Sequence, residues 1–421
     1  TYRSRLIFHK GFRLHSKKQT LQALFSMPVI VASLGYFVDI YDLILFGIVR
    51  IPSLKEMGLS PAEITTVGAD ILNMQMAGML IGGILWGVLG DKKGRLSVLL
   101  GSIILYSAAN FLNGFVQDVN SYMVLRFIAG IGLAGELGAG VTLVAEILPK
   151  EIRGYGTMMI ATVGVTGAVA ANFIAQHFDW RTAYIIGGVL GFALLLLRVG
   201  ILESAIFKNL KEKNIKRGNF FSLFTDKQLF AKYSKSIIIG LPLWYCVGIL
   251  ILFSPEFAKE FGISGVNAGN AIMLCYIGLT VGDFGSGYIS QKIKSRKIAI
   301  AGFMLSALAL SIVYGALSGA SSTMFYLVCF LIGVSCGYWA LFITVAAEQF
   351  GTNIRSTAAS TVPNFVRGMV VPMSAGFIAL KPSFGLLGAA AIVGALVFAA
   401  GLIALWKLEE TFHKDLDYIE V

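Results

Sequence analysis

Twelve runs of mostly apolar residues dominate this sequence, and each is about as long as a helix needs to cross a bilayer, roughly 20 residues. They fall at approximately 22–50, 64–90, 96–115, 121–147, 155–176, 181–202, 235–258, 266–290, 297–318, 322–349, 356–378 and 384–407. Backbone in lipid must satisfy its own hydrogen bonds, so each run predicts a helix or a pair of half-helices. With 56% hydrophobic and only 14% charged residues, the chain has too little polar surface for a fold solvated by water. The expected fold class is an all-α membrane protein with twelve transmembrane helices.

Loop charges predict the orientation. Arg3, Arg5, Lys10, Arg13, Lys17 and Lys18 precede the first run, and Lys92, Lys93 and Arg95 follow the second. Lys208, Lys211, Lys213, Lys216 and Arg217 follow the sixth, while the opposite side has few basic residues. The positive-inside rule then places both termini and the long middle loop in the cytoplasm. The expected division is a basic segment 1–21, a six-helix bundle 22–202, a cytoplasmic linker 203–234, a second bundle 235–407 and a tail 408–421. The two bundles read as repeats: "AEILPKEIR" (145–153) and "AEQFGTNIR" (347–355) share Ala-Glu and Ile-Arg at the same spacing. Matching halves predict a site at their interface near the membrane midplane.

A net charge of +11 therefore reads as loop topology and not as a nucleic-acid surface. Cys246, Cys275, Cys329 and Cys336 lie in apolar runs without metal-ligand spacing and read as buried thiols. His9, His15, His177 and His413 lie outside the runs, which argues against an intramembrane histidine relay. The first run is too long for the core of a cleavable signal peptide. The sequence holds no P-loop, zinc spacing or Ser-His-Asp arrangement. The expectation is a transporter driven by gradients, not an enzyme, with no metal or cofactor.

Asp39 and Asp42 stand in the first run, in "GYFVDIYDLILFG" (35–47). A carboxylate in hydrocarbon costs on the order of 3 kcal/mol or more, so both must face the protein interior. At a spacing of three they share a helix face. A shuttling proton explains them, and so does permanent pairing with a buried arginine. Glu136, in the fourth run, has the same two readings, proton carrier or helix–helix contact. Arg367 lies about a dozen residues into the eleventh run, roughly 18 Å deep. A guanidinium there needs an acidic partner or an anionic ligand, and Asn364 one turn earlier is a further donor. Trp244 with Tyr245, and Tyr338 with Trp339, are aromatic pairs at cavity depth, suited to pack a substrate skeleton or to pack helices.

"GVLGDKKGRL" (87–96) is a tight loop in which Asp91 can latch onto Arg153. This pattern resembles the signature loop of the major facilitator superfamily. "DIYDLILFG", "RFIAGIGLAGELGAGVTLVAEILPKEIRG" (126–154) and "WRTAYIIGGVLGFALLLLRVGILESAIF" (180–207) are similar to stretches of its metabolite:proton symporters. The second-half loop departs from the pattern, with Gln291 where an Asp is usual. The resemblance implies twelve helices around a central cavity and proton-coupled movement of small organic metabolites. It matches Asp42 to the family's Tyr-Asp pair and Arg126 to its helix-four arginine, which the family ties to proton transfer, and Asp39 and Glu136 are further coupling candidates from their burial. Tyr41, Arg367, Asn364 and the aromatic pairs read as substrate-binding residues. Asp91, Arg95, Glu146, Arg153, Glu348 and Arg355 read as cytoplasmic gate residues.

The expected function is uptake of a small anionic or zwitterionic metabolite with protons, by alternating access. The partners are that substrate, protons and the lipid bilayer, with no nucleic acid. The chain reads as a monomer in a bacterial inner membrane. A proton-antiport exporter and a transporter-like ligand sensor are the alternative readings.

Overall fold

The computed structural model describes residues 17–412, apart from 94, 139, 141–143, 145–147, 149–152, 206–221 and 352–354. Among the described residues every regular element is a helix. A short α1 (Lys17–Leu24) leads into α2 (Met27–Glu56), where a proline in the first turn gives up an N–H that no helix start can use. Next come α3 (Pro61–Lys93), α4 (Arg95–Asn113), α5 (Val119–Leu133), α6 (Arg153–His177) and α7 (Trp180–Ala205). After the middle loop follow α8 (Ser222–Thr225), α9 (Lys227–Tyr245), a π-helical turn at Cys246–Ile251 and α10 (Ser254–Glu260). The chain continues through α11 (Ala268–Ile293), α12 (Arg296–Gly315), α13 (Ser322–Cys336), α14 (Trp339–Glu348), α15 (Arg355–Gly368) and α16 (Val370–Lys407).

Local chemistry sets several of these starts. Asp118, Asn267, Ser295 and Ser321 each accept the N–H three residues on, the usual geometry of a helix N-cap. Asp226 caps α9 by accepting from Gln228 and Leu229. The basic segment 1–21 and the tail 408–421 lie largely outside the described residues, as does half of the linker.

Among the described residues, nine helical stretches are long and apolar enough to cross a membrane. The last of them, 360–407, is interrupted at Gly385, whose φ of 69° belongs to no right-handed helix. Glycine tolerates that angle where a side chain does not.

Helix α2 packs chiefly on α6, α3 on α5, and α4 on α7 and α5. In the second half, α11 packs on α13, and α9 on α16. One crossing recurs almost atom for atom. A Cβ on Gly78 or Gly82 would strike the carbonyls of Phe127 and Ile131, and one on Gly130 the carbonyl of Gln75. Two hundred positions on, Gly278 and Gly282 press the carbonyls of Phe330 and Val334, and Gly333 that of Cys275. Bare glycine faces let the backbones touch, which is how helices associate where lipid removes the hydrophobic drive. The sequence repeat is thus a packing repeat. The halves meet through α3 with α15 and α16, α6 with α11, and α2 with α11. All of α2's middle is enclosed, so it can carry charges that a lipid-facing helix cannot.

Candidate functional site

Three helices lose their regularity at one depth. Helix α5 stops at Leu133 and turns through Ala134–Gly135, and α13 stops at Cys336 before α14 restarts at Trp339. Helix α9 carries Pro242 and runs into the π turn. A proline removes an N–H, and a π turn widens the helix, so both free backbone where a ligand can approach.

A cavity lies among these breaks. Its walls include Tyr36, Ile40, Trp244, Tyr276, Trp339 and Arg367. The room left for the centre of a water molecule is about 20 Å³, enough for about one water and too tight for an organic acid without side-chain movement.

Arg367 is buried, 1% exposed, and stands 5.6 Å from the Trp244 ring centre and 5.7 Å from that of Trp339. The two indoles meet edge to face at 6.1 Å. Among the described residues, Nε and Nη1 of Arg367 find no hydrogen-bond partner. Asp39 is fully buried, and neither of its carboxylate oxygens has a hydrogen-bond partner among the described residues. The charges acting on it are Arg367 first, then Glu136 and Arg198. Asp42 is equally buried, and its carboxylate too has no hydrogen-bond partner among the described residues. Its counterpart is Arg126, which bonds the Asp42 carbonyl at 3.0 Å and the Asn110 Oδ1 at 2.8 Å and rests on the Tyr184 ring at 5.4 Å. The two aspartates thus answer to different arginines, one across the cavity and one within the first half.

Glu136 makes a two-pronged ion pair with Arg198, at 2.6 and 2.8 Å, with both side chains 2% exposed. A Cβ on Gly35 would occupy the place of the Arg198 guanidinium, so α2 leaves space for it. Asn364 donates to the Ala134 carbonyl at 2.9 Å and the Ser360 carbonyl at 3.0 Å, which ties α15 to the break after α5. The hydroxyls of Tyr41, Tyr245 and Tyr338 donate to the carbonyls of Ala183, Ala390 and Ile239. These three tyrosines join helices, and the described cavity does not include them.

Among the gate candidates, Glu348 pairs with Arg296 at 3.3 Å and accepts the Thr411 hydroxyl at 2.6 Å. Glu146 lies outside the described residues, as do the side chains of Asp91, Arg95, Arg153 and Arg355. Tyr36 and Tyr276 are cavity residues that the sequence reading passed over. A signal existed: Tyr36, Ile40 and Leu43 all line the cavity, at the four-then-three spacing of one helix face.

The sequence model of the Major Facilitator Superfamily matches residues 32–368. The chain belongs to this family. It is 26% identical to the gentisate transporter of Corynebacterium glutamicum, over 95% of this chain and 93% of that one. It is 26% identical to the sialic acid transporter NanX of Escherichia coli, over 91% of this chain and 93% of its relative. The niacin transporter NiaP of Acinetobacter baylyi is 24% identical, over 78% of this chain and 81% of its own. This member of the superfamily is a multi-pass membrane transporter of small organic molecules and not an enzyme.

Proposed function

We propose that this transporter imports a small organic acid together with protons, as a symporter working by alternating access in a bacterial inner membrane. Its twelve spans form two six-helix bundles, 22–202 and 235–407, joined by a cytoplasmic linker, with both termini in the cytoplasm. It works as a monomer. The observation that carries this reading is Arg367: a buried guanidinium between two indoles and near the carboxylate of Asp39, both with polar atoms that find no hydrogen-bond partner among the described residues. The substrates named for the relatives, gentisate, niacin and sialic acid, are all carboxylic acids, which supports an anion at Arg367.

The steps follow from charge balance. With no substrate, Asp39 partly neutralises Arg367 across the cavity. A substrate carboxylate docks on the guanidinium fork, where two parallel N–H bonds fix its plane. Trp244 and Trp339 hold the attached ring or chain. Two carboxylates cannot both stay charged beside one arginine in a dry site, so Asp39 takes a proton. Asp42, held against Arg126, takes or passes a proton within the first half. The neutralised centre lets the halves rock, and substrate and proton leave together.

Nicotinate and nicotinamide differ only in carboxylate against amide, so they test the site directly. Ligand at about 100 times its Kd should stabilise the protein by about 2.7 kcal/mol. Nicotinate or gentisate should raise the melting temperature, nicotinamide should not, and Arg367→Ala should abolish the effect. Equal stabilisation by acid and amide would refute the assignment of Arg367.

A further inference from the structure

We propose that Arg50 is a second carboxylate-binding station, at the outer end of the substrate route, and that Glu256 occupies it while that end is closed. This inference rests on the reading of the substrate as a carboxylate and of the C-terminal end of α2 as the outer end.

Arg50 lies near that end of α2 and is fully buried. Its Nη2 bonds Glu256 Oε1 at 2.7 Å, with side-chain exposures of 0% and 17%. That is one prong of a fork built for two. Among the described residues, Nε and Nη1 of Arg50, and Oε2 of Glu256, have no hydrogen-bond partners. The guanidinium rests over the Phe253 ring at 4.8 Å. Across from it α3 has only Gly68, where a Cβ would press the Arg50 side chain at 2.6 Å. Arg367 shows the same chemistry: a buried guanidinium on an aromatic face with N–H groups to spare. A flat acid suits both places.

Position links the two stations. Leu43 lines the cavity, and Arg50 lies seven residues further along the same helix, roughly 10 Å on. Val247 lines the cavity too, and Phe253 lies beyond it past the π turn. An acid moving inward therefore meets Arg50 and Phe253 first, and Arg367 with its indoles second.

The pair also joins the halves, since Arg50 belongs to the first and Glu256 to the second. The outer end cannot open while they hold each other. A bare guanidinium in that buried place is costly, so Glu256 leaves most readily when another carboxylate takes over. The arriving acid supplies one. Glu256, the more exposed partner, moves out to water. Substrate then replaces an internal mimic of itself, and opening is tied to its arrival.

The test compares the two faces of the membrane. Uptake of labelled nicotinate and gentisate is measured in right-side-out vesicles, and transport from the cytoplasmic face in inverted ones. Arg50→Gln should raise the outer KM about tenfold, a cost of about 1.4 kcal/mol, and leave the inner KM within about twofold. Arg50→Lys keeps the charge but loses the planar fork, and should recover only part of the affinity. Glu256→Gln removes the competitor and should lower the outer KM several-fold, which keeps the test decisive if Arg50→Gln folds poorly. An outer KM unchanged by Glu256→Gln, or both faces altered alike by either variant, would overturn the station. If Arg367→Ala still abolishes nicotinate binding in that case, the central site stands and only the outer one falls. If the native protein carries neither acid, both readings fall.

Discussion

Asp283 on α11 accepts the backbone N–H of Ala340 on α14 at 3.0 Å, one residue past Trp339. Tyr338, the residue that begins α14, makes no side-chain capping bond. A carboxylate from another helix thus holds the restart that carries Trp339. Asp283→Ala should weaken nicotinate binding about tenfold, in line with a lost cap of ~1 kcal/mol or somewhat more. Asp283→Asn still accepts an N–H and should stay within about threefold. In a Trp339→Ala background the two should become indistinguishable, a coupling that titration calorimetry on the four proteins reads directly.

The Glu136–Arg198 pair is enclosed on all sides, so removing one partner strands a charge. Glu136→Ala or Arg198→Ala should each cost about 3–5 kcal/mol of stability. Removing both should cost less than the sum, because no lone charge remains. Denaturant unfolding of the single and double variants checks this. Gly35→Ala should also destabilise, since its methyl group meets the Arg198 guanidinium.

Glu410, beyond the last helix, gathers the Ser295 hydroxyl and the N–H groups of Arg296, Lys297, Thr411 and Phe412. Burial pushes its carboxyl up, but the bonds from Ser295 and the N–H groups outweigh it, and the group settles below the ordinary glutamate value. A lowered carboxyl stabilises the fold when charged. That contribution is complete above the ordinary glutamate pKa, about 4.3, and is lost as pH falls through the lowered value. Glu410→Gln should therefore lower thermal stability by a constant amount from pH 8 to about 5 and converge with the native protein only in stronger acid. A melting-temperature series against pH measures it.

The sequence disclosed what breaks the pattern of an apolar run. Asp39, Asp42 and Arg367 stood out because charge in oil requires a reason, and Trp244 and Trp339 because each stands beside a tyrosine at cavity depth; that the two indoles meet each other was not legible. The glycine-faced crossing of α3 and α5 was not legible, since carbonyl contacts exist only once two helices meet. Partners were the hidden part. Arg198 lies 62 residues from Glu136, and nothing local links them. Glu348 likewise pairs with Arg296, 52 residues away at the start of α12, and nothing local links the two. Tyrosines misled for a related reason: sequence shows a phenol at cavity depth, but not which carbonyl its hydroxyl reaches. Arg50 and Glu256 are far apart in the chain and sit at helix ends, where charge is ordinary, so neither drew notice.

The most direct measurement follows protons and substrate together. Proteoliposomes are loaded with a pH-sensitive dye, and nicotinate or gentisate is added outside. The native protein should acidify the interior as substrate enters and should accumulate more substrate when the outside is made acidic. The variant with both Asp39→Asn and Asp42→Asn should still exchange substrate for substrate but carry no proton. If that variant accumulates substrate uphill and still responds to outside acid, the buried aspartates of α2 are not the couplers.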